Sequence, residues 1–409
     1  MSNEIMRWVV SVGLMSIMAT VAPGKEKERA EVQLSARARE LHANLILVDG
    51  HNDLPWAFYE RGTPSFDRLD ISQRQPELHT DIPRLRQGGV GVQFWSVFVP
   101  ASTRLNGESL RATLDQIALV RAMVDAYPET FQLCLDSQQI SQSIDAGKIA
   151  SLIGVEGGHS IENSLGVLRR LYDLGARYMT LTHSATLEWA DSATDAPRHG
   201  GLSPFGRQVV REMNRLGMLV DLSHVSDDCM RDALEITKAP VIFSHSSARA
   251  ICDHPRNVPD DVFPLVKANR GVVMVNFYSD FVAPAAARRR DQRVRERQRL
   301  ESTIADAEEV AKAMVGWDNR HPIPRGSIYD VVDHIDHLVK GVGVDGVGIG
   351  SDFDGIGVVP RQLEDVSTFP LITQELLNRG YDETAIRKIM GLNLLRVLKA
   401  AEDASDKRP

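Results

Sequence analysis

Six stretches of this 409-residue chain close on side chains that bind cations or move protons. They read Asp49-Gly50-His51-Asn52-Asp53, Glu156-Gly157-Gly158-His159, Thr180-Leu181-Thr182-His183, Asp221-Leu222-Ser223-His224, Phe243-Ser244-His245-Ser246 and Gly350-Ser351-Asp352-Phe353-Asp354. His51 and Asp53 are two apart, so on an extended segment they point to one side and offer half a metal site. Each stretch alone has a plainer reading: H-x-D as a turn, a single histidine as a hydrogen-bonded structural residue. Glu156 is harder to explain away, because a carboxylate after a buried apolar run is costly unless it is paired or on a cation. Brought into one pocket, Asp53, Glu156 and Asp352 with His51, His183, His224 and His245 would need positive charge, and a pair of divalent cations supplies it. Imidazole and carboxylate without thiolate suit zinc, with manganese or cobalt as alternatives. Two such ions about 3.5 Å apart need a bridging carboxylate, a part that Glu156 fits, and together they activate a shared water for attack on a carbonyl. Asp352 would then carry the proton and His183 would donate to the developing oxyanion. Arg256, in His254-Pro255-Arg256-Asn257, would clamp a substrate carboxylate with two parallel hydrogen bonds.

Each stretch follows a short apolar run. The runs are Leu45–Val48, Val90–Val99, Ala150–Val155, Tyr178–Leu181, Met218–Leu222, Pro240–Phe243, Val272–Asn276 and Gly346–Ile349. Continuous runs of this length fit parallel strands buried on both faces. Helical patterns lie between them at Leu165–Leu174, Pro204–Leu216 and Asp227–Ile236, with Asp227 as a starting cap and Gly175 and Gly217 at the stops. Eight strands alternating with helices predict an α/β fold, a TIM-like (β/α)8 barrel, whose strand ends converge on one mouth. A doubly wound open sheet is the alternative. Ala283–Arg325 breaks the rhythm: it opens with ARRRDQRVRERQR, continues as a helix over Leu300–Val315, and is read as a charged helical insertion near the mouth. For the basic run itself the plain reading is a solvated face.

Composition narrows the class. A hydrophobic fraction of 43% with 25% charged residues excludes a disordered chain, a collagen repeat and a multi-span membrane protein. A net charge of -8 gives no support for a nucleic-acid partner. Cys134, Cys229 and Cys252 are too few and too scattered for a disulfide scaffold. Residues 1–30 read as a signal or a disordered start, and 31–409 as a single catalytic domain. Trp8–Ala22 is too short to span a bilayer and resembles a secretory signal, which predicts a periplasmic or extracellular protein, with a cytoplasmic one as the alternative. The closing AAEDASDKRP has no apolar tail, so no lipid or other stable membrane anchor is expected.

Longer strings carry a family resemblance: DGHNDLPW at Asp49–Trp56, GGVGVQFWSVF at Gly88–Phe98, SLIGVEGGHSIENSLGVLRRLY at Ser151–Tyr172, YMTLTHS at Tyr178–Ser184, DLSHVS at Asp221–Ser226, APVIFSHSSARA at Ala239–Ala250, RNVPDDV at Arg256–Val262 and GSDFDG at Gly350–Gly355. The chain resembles the membrane (renal) dipeptidase family, peptidase M19, in a bacterial-type member. That resemblance implies a homodimeric, binuclear zinc barrel of the amidohydrolase-like kind that hydrolyses dipeptides, commonly with a D-residue at the C-terminal side. It implies His51, Asp53 and Glu156 on one zinc, and Glu156, His224 and His245 on the other. It also implies a substrate-contacting His183 and Arg256 and a catalytic Asp352. Ala101, Ala185 and an unpartnered Cys252 depart from the cysteine pattern of animal members. The alternatives are an amide hydrolase acting on a β-lactam or an N-acyl amino acid, and a catalytically silent ligand-binding barrel.

Overall fold

The computed structural model describes residues 29–60 and 65–406, so the export-signal stretch Trp8–Ala22 lies outside the described residues. From Val32 onward the chain is one unit. Its strands are β1 (Leu47–Asn52), β2 (Val90–Phe98), β3 (Phe131–Leu133), β4 (Ile149–Glu156), β5 (Ala176–Thr180), β6 (Leu219–Asp221), β7 (Ile242–Phe243), β8 (Val272–Val275) and β9 (Val347–Ile349). All pairings between them are parallel. β2 pairs with β1 on one edge and, over Val92–Phe98 against Ala150–Glu156, with β4 on the other. This closes a ring of eight strands in the order β1, β2, β4, β5, β6, β7, β8, β9. Closure decides for the (β/α)8 barrel over the open sheet. The ninth strand, β3, is absent from the sequence reading because three residues give no periodicity. It pairs with Ile149–Ser151, on the edge of β4 that β5 takes over from Ile153.

Helix ends obey local chemistry. Pro204–Leu216 starts on Ser203, whose side chain accepts from the Gly206 amide, and stops at Gly217 with φ 78°. Asp227 is not the cap of its helix: Ser226 is, accepting from the Cys229 amide, and Asp227 sits in the first turn, where a negative charge favours the helix dipole. The insertion also differs from its sequence reading. Two helices, Pro284–Thr303 and Ala307–Arg320, replace the single one over Leu300–Val315. Asp306 breaks the run by capping the second helix, accepting from the Glu308 and Glu309 amides. The pair carries its own small core of Leu300, Val310, Met314 and Trp317. Cys134, Cys229 and Cys252 are buried and unpaired.

Barrel strands continue past their apolar runs because polar staples satisfy what they bury. β1 runs to Asn52 rather than ending at Val48. Buried Asp49 accepts from the Ser351 amide (2.8 Å) and hydroxyl (2.7 Å), tying β1 to the turn after β9. Buried Asp221 accepts from the Ser244 amide (2.8 Å) and hydroxyl (2.6 Å) and from Thr180 Oγ1 (2.5 Å), tying β6 to β7 and β5. Inside the ring, Val48, Phe94, Leu152, Tyr178 and Met274 form one buried cluster with Leu394 and Val397 of the last helix. Gly154 makes room for the Tyr178 ring, since a Cβ there would lie 1.9 Å from it.

Burial lowers the pKa of several histidines, among them His159, His254 and His334, and each should add to the acid sensitivity of the fold. His334 is fully buried; its Nδ1 accepts from the Ala248 amide (2.9 Å), and its Nε2 donates to the Val282 carbonyl (3.1 Å). Burial pushes its pKa down to about 4 from 6.5. The unfolded chain therefore takes up a proton between those values that the folded one refuses. Stability should fall with pH through that window by about 1.4 kcal/mol per unit from this group. Urea unfolding of His334→Gln should show a slope between pH 6.5 and 4.5 shallower than wild type by about one proton; an identical slope would remove His334 as the cause.

Candidate metal centre

Five of the strand ends bring six of these residues to one mouth. β1 and the residue after it deliver His51 and Asp53, and β4 delivers Glu156 at its last position. The turns after β6, β7 and β9 deliver His224, His245 and Asp352. All six are buried. The carboxylate of Glu156 lies at their centre. Its Oε1 is 3.0 Å from His224 Nε2 and 3.4 Å from His245 Nε2, and its Oε2 is 3.5 Å from His51 Nε2. His51 Nε2 also lies 3.2 Å from Asp53 Oδ2 and 3.9 Å from Asp352 Oδ1. Two donor groups, His51–Asp53–Glu156 and Glu156–His224–His245, each fit within 4.8 Å, as does a third, His51–His245–Asp352. The sequence had given Asp352 to catalysis; the geometry places it within reach of ligation as well.

The backbone is bent to achieve this. His224, Asp352 and Asp354 have φ of 69°, 65° and 66°, a left-handed conformation that costs a non-glycine residue and is retained where a site requires it. Gly355 allows the last turn to press inward, because a Cβ on it would meet Asp53 Oδ2 at 2.2 Å and Asp352 Oδ1 at 2.8 Å.

Charge and hydrogen bonding show what the cage accepts. Burial works to discharge His51, yet Tyr178, Asp53 and Glu156 hold its pKa well above the ordinary value. Burial would likewise raise Glu156, but His51, His224 and His245 outweigh it and keep the group well below the usual carboxylate range. Burial drives His224 and His245 down. The cage thus draws positive charge from whatever can supply it. The ring nitrogens are aimed accordingly. Ser244 Oγ donates to Asp221 and so accepts from His245 Nδ1 at 2.7 Å, which leaves the lone pair on Nε2 facing inward. His51 Nδ1 is engaged by the Tyr178 hydroxyl at 2.8 Å, and its Nε2 is buried without a hydrogen-bond partner. A donor set of imidazole and carboxylate with an orphaned inward nitrogen fits a divalent cation.

Around the cage stand the other residues expected from sequence. His183, partly exposed, has Nε2 3.7 Å from Glu156 Oε1, and burial lowers its pKa, which favours the neutral ring with one N–H to give. Arg256 is buried behind His245, contacting its carbonyl through NH2 at 3.3 Å and Ser246 Oγ through NH1 at 3.4 Å, with Nε unpartnered. Burial pulls its guanidinium down to about 10, against the attraction of Asp352 and Glu156. All the residues singled out are therefore brought together. Sequence reasoning missed the layer that orients them. Tyr178, Ser244, Asp221 and Ser96, whose hydroxyl donates to Glu156 Oε2 at 3.0 Å, had no assigned role, nor did Asn276, whose amide donates to Asp352 Oδ2 at 2.7 Å. Their signal was weak: single polar residues within or just after apolar strands.

Comparisons with known proteins place the chain among dipeptidases. The dipeptidase verJ of Clonostachys rogersoniana is 41% identical over 382 residues, 91% of this chain and 88% of that protein. Dipeptidase 3 of Mus musculus is 39% identical over 92% of this chain and 69% of its own length. A solved structure from Pseudomonas aeruginosa, the probable dipeptidase PvdM, superposes with a TM-score of 0.81 at 25% identity, covering 90% of this chain and 98% of that one. The family described as membrane dipeptidase (peptidase family M19) matches residues 35–409, and this chain belongs to it.

Proposed function

We propose that this protein hydrolyses dipeptides using two zinc ions, one held by His51, Asp53 and Glu156 and the other by Glu156, His224 and His245. The observation that carries the reading is the two-sided Glu156 carboxylate, with Oε2 toward His51 and Oε1 toward His224 and His245. When bound, the cations supply Lewis-acid polarisation of the scissile carbonyl and acidification of a water. The chain's own residues do the rest. Arg256 receives the C-terminal carboxylate on donors that its protein contacts leave free. Neutral His183 donates to the carbonyl oxygen as charge develops there. Asp352, with one oxygen held by Asn276 and the other turned to the cage, takes the proton and passes it to the leaving amine.

The test is a panel of L,L- and L,D-dipeptides, a carbapenem and an N-acyl amino acid, run after chelation and after zinc add-back. Dipeptide cleavage that chelation removes and zinc restores supports the reading, as does tolerance of a D-residue at the C-terminal side. Cleavage of the other amides alone overturns it. Well under two equivalents of metal at saturation argues for a silent barrel. For the carboxylate clamp, Arg256→Ala should raise KM for free dipeptides on the order of a hundredfold, the worth of a lost charge-assisted pair, but much less for C-terminally blocked ones. Equal effects on both would refute it. The one-domain reading of 31–409, the homodimer and export belong to the same proposal; limited proteolysis, light scattering and cell fractionation check them.

A further inference from the structure

Three aromatic rings line the mouth beside the cage and take no part in the chemistry above. Phe98 closes β2 in register with Glu156, and its ring lies 4.7 Å from that of His183. Trp56, on the helix Leu54–Glu60 that begins directly after Asp53, packs edge-on against Phe98 at 4.9 Å. Tyr59, 43% exposed, stacks on Trp56 at 5.2 Å. Trp56 and Phe98 are half-buried, so part of each ring faces open space. Partly exposed rings in contact with one another at the edge of a polar, concave site are a typical arrangement for receiving an apolar group.

The ring order says which part of a substrate would meet them. Arg256 follows β7, and Phe98 ends β2. In the closed order these strands are four steps apart in either direction, which places them on opposite walls of the barrel. A dipeptide is about 7 Å long when extended. With its carboxylate on Arg256 and its carbonyl by His183 and Glu156, its N-terminal residue points to the wall of β1 and β2. We propose that Trp56 and Phe98, backed by Tyr59, receive the side chain of the N-terminal residue and select a large apolar or aromatic one. The proposal rests on the dipeptidase reading and adds a substrate class to it.

The experiment compares kcat/KM for dipeptides headed by Gly, Ala, Leu and Phe and sharing one C-terminal residue, in wild type, Trp56→Ala and Trp56→Phe. Wild type should favour Leu and Phe over Gly by tenfold or more, on the order of what a few well-seated methylenes discriminate. Trp56→Ala should collapse that ratio several-fold, while Trp56→Phe, which keeps a ring, should retain most of it. A wild-type ratio within twofold of unity overturns the proposal whether or not any variant folds, and so does a Trp56→Ala protein slowed equally on every substrate. Failure of wild type to cleave any dipeptide defeats the dipeptidase reading and this proposal with it, an outcome distinct from unselective cleavage.

Discussion

Glu156→Ala loses both metal occupancy and hydrolysis, with kcat/KM falling by on the order of 10⁴ or more, the scale seen when a unit of catalytic groups is disabled together. The size of the effect follows from position. Both oxygens of this one carboxylate are committed, Oε1 to three imidazoles and Oε2 to His51 and the Ser96 hydroxyl. Truncation deprives both proposed zinc ions of a ligand at once, whereas loss of Asp53 or His224 would touch one. Removing one partner of a buried pair costs on the order of 3–5 kcal/mol, but Asp53 stays beside His51 at 3.2 Å to share its charge, so the fold should survive. Metal content by elemental analysis should drop from about two equivalents to well under one, with an unchanged far-ultraviolet spectrum. Retention of two equivalents would show that Glu156 does not bridge.

Asp352→Asn gives the opposite pattern: metal is retained and turnover falls by about 10³, within the range that a positioned general acid–base contributes. Asn is nearly the shape of Asp and tolerates the left-handed backbone at φ 65°. Its side-chain carbonyl can still accept from Asn276, which holds Asp352 Oδ2 at 2.7 Å. What it cannot do is take up a proton. KM should change little, since the carboxylate clamp is elsewhere. Should the variant purify without metal, Asp352 is a ligand foremost, through the group that it forms with His51 and His245.

The residues of this site were legible as a set rather than singly, because all but Arg256 sit at or just after the end of an apolar run. Buried parallel strands leave a strong mark in sequence, and polar groups at their ends stand out against it. The eight runs therefore located the eight barrel strands, and the family strings named, before any distance was known, the residues that the structure gathers around Glu156. Boundaries were less legible. β1 continues to Asn52 because Ser351, three hundred positions away, satisfies Asp49, and the insertion splits because Asp306 caps a helix better than it sits inside one.

By itself, then, the order of residue types determined that parallel strands alternate with helices and carry imidazoles and carboxylates at their ends, since burial period and strand-end chemistry are local properties. Tertiary structure alone decided which oxygen of Glu156 meets which histidine, and how Asp221 through Ser244 orients the His245 ring. It also decided that β7, which leads to Arg256, and β2, which ends in Phe98, stand opposite each other in the ring. Those are relations between strands distant in sequence, set by ring closure and register, and nothing in a local pattern encodes them.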